Sequence, residues 1–462
     1  MPDYEYDVVI VGAGPGGYVA AIRAAQLGLK TVVVEEAELG GVCLNWGCIP
    51  SKALLRNAEV LRLVRRSEEF GISFDNLRYD FGVAIDRSRV VVDKLTNGVA
   101  ALLRKNKVEH VKARASLTDA HTVVTSPNGH VLTAANIVLA TGAQPASIPG
   151  LTLDGERIIT SREALELREI PPRITIVGGG ATGVEFAYLY NAYGSHITVI
   201  ELLQNLLPSE DEEISTQLER SFLRQGINFY TSTKVTGAKL SEGCVSLEID
   251  TAGDTTSVES DLVLVAAGVR PNTQGIGLEE LGIIMDRGFI QVNSSMKTSV
   301  AGVYAIGDVT GKMLLAHVAQ AQGVLAVERI AGLEPLDLDY QVMPRATYCN
   351  PQVTSYGFTE EEAREAGHTV KVGKFPFLAS GKALATGDSE GIVKVVINAS
   401  SDEILGVHMI GPEVTELLAE FSLLKALEGT TREMGALVHS HPTLSEVLKE
   451  AALAADGEAI HI

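Results

Sequence analysis

Cysteine is scarce, with four in 462 residues. That is too few for the disulfide scaffold of a secreted domain, so a pair among them is expected to work rather than brace. Tryptophan occurs once, as Trp46. Positive charge is short as well: 38 Lys and Arg stand against 58 Asp and Glu, a formal charge of −20. This opposes nucleic-acid binding, whose affinity comes largely from cations meeting phosphates. No apolar run is long enough to span a bilayer. The first residues carry Asp3, Glu5 and Asp7, acidic where a secretion signal is basic. Nucleic acid and membrane are therefore not expected partners, and a cytoplasmic setting is expected.

What the chain does have is bulk and glycine. Its length suits about three domains, and a hydrophobic content of 46% suffices for buried cores. Two of the cysteines lie five positions apart in Leu39-Gly-Gly-Val-Cys43-Leu-Asn-Trp-Gly-Cys48-Ile-Pro-Ser-Lys52. On an unbroken helix, positions i and i+5 stand roughly 8 to 9 Å apart at Cα, beyond the ~7 Å reach of a disulfide. A bond between Cys43 and Cys48 thus requires a break, for which Gly47 gives the freedom, with Pro50 suited to begin a helix just after it. The spacing favours a redox-active disulfide. Two buried thiols or half a zinc site are the alternatives, though no further Cys or His nearby completes the usual four zinc ligands. Cys244 and Cys349 are expected to be unreactive.

A glycine loop precedes this motif. Tyr6 to Val11 reads as a buried strand, Gly12-Ala-Gly14-Pro-Gly-Gly17 turns into a helical run from Tyr18 to Leu27, and Thr31 to Glu35 forms the next strand. In such a βαβ unit the first glycine permits the tight turn, the second lets backbone approach a pyrophosphate and the third lets helix pack on strand. Glu35 can accept hydrogen bonds from a ribose. The arrangement returns as Arg173 to Val177, Gly178-Gly-Gly180-Ala-Thr-Gly183, a helix through Tyr193, and Ile197 to Glu201. Both times 23 residues separate the first glycine from the acid. Two matched fingerprints predict two dinucleotide sites. Glu201 would pair a free 2′-hydroxyl and repel a 2′-phosphate, and no Lys or Arg lies between Leu202 and Pro208, so the second site is expected to prefer NAD to NADP.

Other landmarks divide the chain. Asn136 to Gly142 reads as a strand ending in a tight turn, and the Pro-containing connection Gln144 to Gly150 leads onward. Asp261 to Gly268 repeats that pattern and runs into Val269-Arg-Pro-Asn272, a return to the first domain. Val303 to Asp308 is a further buried strand ending in Gly-Asp. Leu333 to Pro344 reads as a linker, followed by a last domain with a β-rich stretch from Gly391 to Gly411 and then helices. Near the end, His439-Ser-His441-Pro-Thr-Leu-Ser-Glu446 supports two readings. His441 suits acid/base work beside thiols, with Glu446 orienting it. Equally, Thr443-Leu-Ser-Glu446 matches a capping box opening a helix through Leu453.

With the cysteine motif, both fingerprints, Gly307-Asp308 and the His-Pro-Thr-Leu-Ser-Glu segment in this order, the chain resembles the flavoprotein disulfide reductases over nearly its whole length. It looks most like the branch that oxidises dihydrolipoamide. The resemblance implies an α/β fold of two Rossmann-like domains and a C-terminal α+β dimerisation domain. The divisions are 1–147 (FAD domain with the disulfide), 148–271 (NAD domain), 272–343 (central domain completing the FAD site) and 344–462 (interface domain). It implies FAD at Gly12, Gly14, Gly17 and Glu35, with Asp308 and Ala316 near its ribityl and ring region and Ala115, Thr141 and Gly142 in contact. Lys52 would sit by the flavin, and Glu185 would pair with that lysine near the nicotinamide. For NAD the matching positions are Gly178, Gly180, Gly183, Glu201, Val235 and Gly268. His441 becomes the acid/base of a catalytic set with Cys43, Cys48 and Glu446.

The implied partners are a second copy of the chain, lipoyl domains, and the acyltransferase core of 2-oxoacid dehydrogenase complexes or the lipoyl carrier of glycine cleavage. The first strand starts a few residues from Met1, so the lipoyl group is expected on another protein. Related reductases fit less well. A glutathione-reductase-like enzyme looks for NADPH through basic residues where Glu201-Leu-Leu-Gln stands. A mercuric-reductase-like one carries C-terminal cysteines that Asp456 to Ile462 lacks. A role chiefly as an interaction subunit sits poorly with Cys43, Cys48, His441 and Glu446 all present. Two positions depart from the common family wording: Val42 stands where threonine is frequent, and Trp46 where a smaller residue is usual.

Overall fold

A computed structural model describes residues 4–462. The chain forms two compact units: residues up to 53, 82–146 and 268–339 make the first, and residues 54–81, 147–267 and 340–462 the second.

In the first unit, the valine-rich strand Tyr6–Val11 is flanked by Thr31–Glu35 and Val131–Leu139, both parallel to it, with Glu109–Lys112 beyond the former and Val303–Ala305 beyond the latter. Such strands are buried on both faces, which is why they read as apolar runs rather than alternations. Val8, Ile10 and Val33 point to the face covered by helices Pro15–Gln26 and Ala316–Ile330. Their neighbours Val9, Val11, Val32 and Val34 point to a second core, shared with Leu117, Val123, Ile276 and Ile290. There the antiparallel strands Arg114–Asp119 and Thr122–Ser126 join the first part of Val131–Leu139.

The second unit repeats the design. A parallel sheet runs in the order Asn228–Tyr230, His196–Ile200, Arg173–Val177, Leu262–Val265, Ile158–Thr160, with helices Ala181–Ala192 and Glu212–Arg224 in the intervening connections. An antiparallel ribbon, Thr233–Ser241, Cys244–Thr251 and Asp254–Ser260, carries Val235 beside a bulge. The C-terminal part is an antiparallel sheet of Arg345–Thr347, Gln352–Gly357, Ile404–Gly411, Ile392–Asn398 and Val370–Pro376. Helices Val414–Ala426, Thr431–Ala436 and Glu446–Ala454 follow it. Its core gathers Tyr356, Phe375, Phe377 and Phe421.

The α/β reading of two Rossmann-like sheets and an α+β C-terminus therefore holds. Local boundaries differ. The first glycine-loop helix begins at Pro15 rather than Tyr18, because proline suits a first turn whose N–H groups have no helical partner. The helix after the cysteines begins at Cys48, with Pro50 inside its first turn for the same reason. Among the described residues no helix is long and apolar enough to cross a membrane.

Candidate active site

The cysteine segment folds as two helices joined at a break. Gly41–Trp46 holds Cys43, and Cys48–Arg65 begins with Cys48. Gly47 leaves the helix at φ −141°, ψ −116°. A Cβ there would come within 3.1 Å of the Val42 carbonyl oxygen, so glycine lets the two turns approach without displacing that carbonyl. The start of the segment is seated on the first glycine loop. The Gly40 N–H donates to the Ala13 carbonyl at 2.8 Å, and Gly41, at φ +59°, lies so close that its Cβ would be 2.7 Å from Gly14 Cα. Asn45 holds the first turn from below, its Nδ2 donating to Leu39 O at 3.0 Å and Gly41 O at 2.9 Å. No S–S bond joins the two sulfurs. Cys43 donates its hydrogen bond to Cys48, which together with burial pushes the Cys43 thiol well above the usual range, while the Lys52 charge pulls the other way.

Both glycine loops are built alike. A Cβ on Gly12 (φ +103°) would stand 2.2 Å from Ala140 O, and one on Gly17 1.9 Å from Gly12 O. For Gly178 (φ +113°) and Gly183 the distances are 2.6 Å to Ala266 O and 1.9 Å to Gly178 O. The outer glycines are thus required by the protein's own packing. Gly14 and Gly180 differ, since a Cβ on either meets nothing within 4 Å. Each caps a helix with no side chain satisfying its first N–H groups. Open space at a bare helix N-terminus is what a pyrophosphate fills, so the residues fit dinucleotides at both positions.

The two acids hold these loops. Glu35 accepts from Ala13 N at 2.7 Å and Ala37 N at 2.8 Å. Glu201, 7% exposed, accepts from Gly179 N at 2.5 Å and Leu203 N at 2.8 Å. Each carboxylate oxygen keeps a lone pair for a ribose hydroxyl. Fastening the loop is a role the sequence did not reveal.

The remaining candidates are placed as follows. Asp308 lies in a short 3₁₀ turn, Gly307–Thr310, where burial raises its carboxyl. Ala316 opens helix Ala316–Ile330, again without a side-chain cap. Thr141 Oγ1 donates to Asn272 O at 2.8 Å, and Gly142 (φ +70°) follows it. Ala115 is buried in the second core. Lys52 is in the first turns of helix Cys48–Arg65. In the second unit Glu185 is 6% exposed and accepts from Tyr348 N at 3.0 Å, and Val235 is buried in its ribbon. Gly268 turns the chain at φ +86°.

His441 and Glu446 are brought together. Nδ1 of His441 lies 2.9 Å from Glu446 Oε1 while the imidazole is 80% exposed. Glu446 Oε2 accepts from Thr443 N at 2.8 Å. Burial pulls the carboxyl upward, but the Thr443 N–H and His441 outweigh it and hold Glu446 below its usual range. Half of the capping box therefore forms. The reciprocal bond does not: the Thr443 hydroxyl is buried without a partner among the described residues, and the helix begins only at Glu446. His439, two residues earlier, faces away to Glu420 at 3.0 Å.

The family described as pyridine nucleotide-disulphide oxidoreductase matches residues 6–323, and its dimerisation domain matches residues 343–452. The chain belongs to the pyridine nucleotide-disulphide oxidoreductase family. It is 46% identical over 471 residues to the dihydrolipoyl dehydrogenase of Bacillus subtilis, covering 99% of each chain. To that of Chlorobaculum tepidum it is 48% identical over 452 residues, covering 97% of this chain and 96% of the other. Among solved structures, LpdA from Mycobacterium tuberculosis superposes with a TM-score of 0.90 at 26% identity, covering 96% of this chain and 98% of that one. The flavoprotein disulfide reductase RclA from Escherichia coli gives 0.86 at 26% identity, covering 97% and 99%. As a pyridine nucleotide-disulphide oxidoreductase, the protein is an enzyme whose cofactors are FAD and NAD(H). Its dimerisation domain makes it a homodimer.

Three side chains of this oxidoreductase escaped the sequence reading. Gln322 Oε1 accepts the Gly307 N–H at 2.6 Å, and Asn272 Nδ2 donates to Thr141 O at 2.9 Å. Arg89, in helix Phe81–Lys105, donates from Nη1 to Asn45 O at 2.8 Å. Asn272 closes the Val269-Arg-Pro-Asn272 stretch read as the return to the first domain, whereas Arg89 and Gln322 fall in no recognisable motif.

Proposed function

We propose that this oxidoreductase is a dihydrolipoyl dehydrogenase, taking two electrons from a dihydrolipoyl group carried on another protein and delivering them to NAD⁺. The observation that carries the reading is the Cys43–Cys48 turn seated directly on the first dinucleotide loop, in a chain 46–48% identical from end to end to proteins of that name. The four segments 1–147, 148–271, 272–343 and 344–462 then supply FAD binding with the dithiol, NAD binding, completion of the FAD site and the subunit interface.

His441 of the partner subunit accepts the proton of the substrate thiol. Glu446 takes the hydrogen bond of Nδ1–H, which leaves Nε2 as the bare nitrogen. The substrate thiolate attacks Cys43, breaking the Cys43–Cys48 bond and forming a mixed disulfide. The second substrate sulfur then closes the lipoyl ring and releases Cys43. Two electrons now reside on the enzyme dithiol, beside which Lys52 supplies positive charge. FAD, when bound, provides the two-electron relay from Cys48 to NAD⁺. Gly12, Gly14, Gly17, Glu35 and Asp308 would hold it, and Gly178, Gly180, Gly183 and Glu201 would hold the nicotinamide nucleotide. Glu201 repels a 2′-phosphate. Lipoyl domains and the acyltransferase core of a 2-oxoacid dehydrogenase complex, or the lipoyl carrier of glycine cleavage, are the partners that match this chemistry, in a cytoplasmic setting.

The test mixes purified protein with dihydrolipoamide and NAD⁺, beside NADP⁺ and glutathione disulfide plus NADPH. NADH formation confined to the first mixture is expected. Turnover only with NADPH and another disulfide would overturn the substrate and the role of Glu201 together.

A further inference from the structure

Arg89 and Trp46 carry an inference beyond the roles given so far, and it rests on the dithiol reading of Cys43 and Cys48. Trp46 is the only tryptophan of the chain and stands between the two cysteines, next to the Gly47 break. The Arg89 guanidinium lies over its ring, 5.0 Å from Cζ to the ring centroid. The same guanidinium donates to the carbonyl of Asn45 at 2.8 Å. That carbonyl is among the last of helix Gly41–Trp46, where the helix has no further turn to receive it. Nε and Nη2 of Arg89 are shielded from solvent, so the cation is held against the segment rather than hydrated. Planarity is needed for this double contact: a flat guanidinium can stack on an indole and aim an N–H in its own plane at a carbonyl, which an ammonium cannot.

We propose that Arg89 is a positioning residue for the redox pair, acting through the Trp46 ring and the Asn45 carbonyl to hold the turn that keeps Cys43 and Cys48 within bonding range. Its effect is on closure. Forming the disulfide makes one S–S bond, releases two protons and passes two electrons to FAD in the enzyme's own reaction. A turn already held in place loses less freedom on closing, so the oxidised pair is favoured. Without Arg89 the sulfurs sample more separations and the disulfide becomes easier to reduce. Trp46 is thereby explained: at this position a larger ring gives the arginine a surface to grip.

The test equilibrates the FAD-loaded homodimer with graded mixtures of dihydrolipoamide and lipoamide, then quenches, alkylates and counts reduced cysteines by mass. The parent must first show a two-electron cysteine couple; its absence would overturn the dithiol reading itself along with this one. R89A is expected to shift the equilibrium toward the dithiol by about tenfold, the weight of one charge-assisted hydrogen bond, or about 30 mV for a two-electron couple. R89K should not restore it, and W46A should shift it in the same direction. Retained yellow colour and an unchanged rate of NADH oxidation by ferricyanide report folding, and W46A decides where R89A does not fold. Couples within twofold of the parent in R89A and W46A, or a shift toward the disulfide in R89A, would overturn the proposal. The second of these results would show a charge acting on the thiolate instead of a held turn.

Discussion

At the residue scale the site divides its labour between groups that react and groups that hold them. His441 presents an exposed imidazole whose Nδ1 is tied to Glu446, so replacing it by glutamine removes the proton acceptor without touching either glycine loop. H441Q is expected to keep both cofactors and lose about 10²–10⁴-fold of dihydrolipoamide turnover, the usual weight of a general base. E446Q is expected to lose less, because the imidazole remains and only its tautomer and aim are released. Steady-state kinetics with cofactor content measured alongside checks both; normal turnover in H441Q would remove it from the mechanism. Cys43, Cys48, the glycines and the acids were legible in the sequence because their chemistry demands fixed local spacing. Arg89 and Gln322 were not. Each meets its target through tertiary packing, and nothing in their own neighbourhoods distinguishes them from surface or core residues.

At the scale of elements, the glycine loops are the most sharply testable parts. A Cβ at Gly183 would lie 1.9 Å from the Gly178 carbonyl oxygen, so G183A must push the helix Ala181–Ala192 away from its strand. Loss of NAD⁺ binding with retention of FAD is expected, read by nucleotide titration of the still yellow protein. G17A should do the reverse and emerge colourless. Strands Tyr6–Val11, Thr31–Glu35 and Arg173–Val177 were readable from end to end because burial on both faces writes apolar runs, whereas Val131–Leu139 begins five residues before the run that marked it, in a half that alternates buried and more exposed positions. Helix starts were less readable. Pro15 and Pro50 mark first turns but not which residue opens them, and the Thr443 to Glu446 pattern forms only the carboxylate half of a capping box while its helix starts at Glu446. That pattern serves the imidazole instead.

Within the second unit, a buried charge cluster binds strand to helix. Lys394, 4% exposed, reaches both Asp211 oxygens at 2.8 and 2.9 Å and Glu360 at 3.0 Å. Asp211 caps helix Glu212–Arg224, so the lysine fastens that helix to strand Ile392–Asn398. K394M strands the carboxylates and is expected to cost about 3–5 kcal/mol in urea unfolding. Directly across the sheet from Lys394 stands His408, fully buried and pushed down to about 4 chiefly by burial. Between roughly pH 6.5 and 4 the unfolded histidine takes up a proton that the folded one refuses, so stability falls on acidification across that window, by on the order of 3 kcal/mol. Unfolding curves of the parent and H408N should converge in their pH dependence only if this histidine is not responsible.

At the scale of the whole molecule, the return of the chain to its first unit after residue 267 was visible in the repeated strand-to-turn pattern. The pairing of subunits had no such local mark. His441 lies in the part matched by the dimerisation domain and the cysteines in residues 6–323, and the proposed mechanism joins a base from one chain to a dithiol from the other. The most direct measurement mixes two inactive homodimers, C48S and H441Q, under conditions that let subunits exchange, and follows NADH formation from dihydrolipoamide. In each heterodimer one site would combine an intact Cys43–Cys48 pair with an intact His441 from the other chain. Recovery of about a quarter of parent activity is predicted for full random exchange in a symmetric dimer. Exchange verified by mass with no recovered activity would contradict the account, because it would place the base and the dithiol it serves on the same chain.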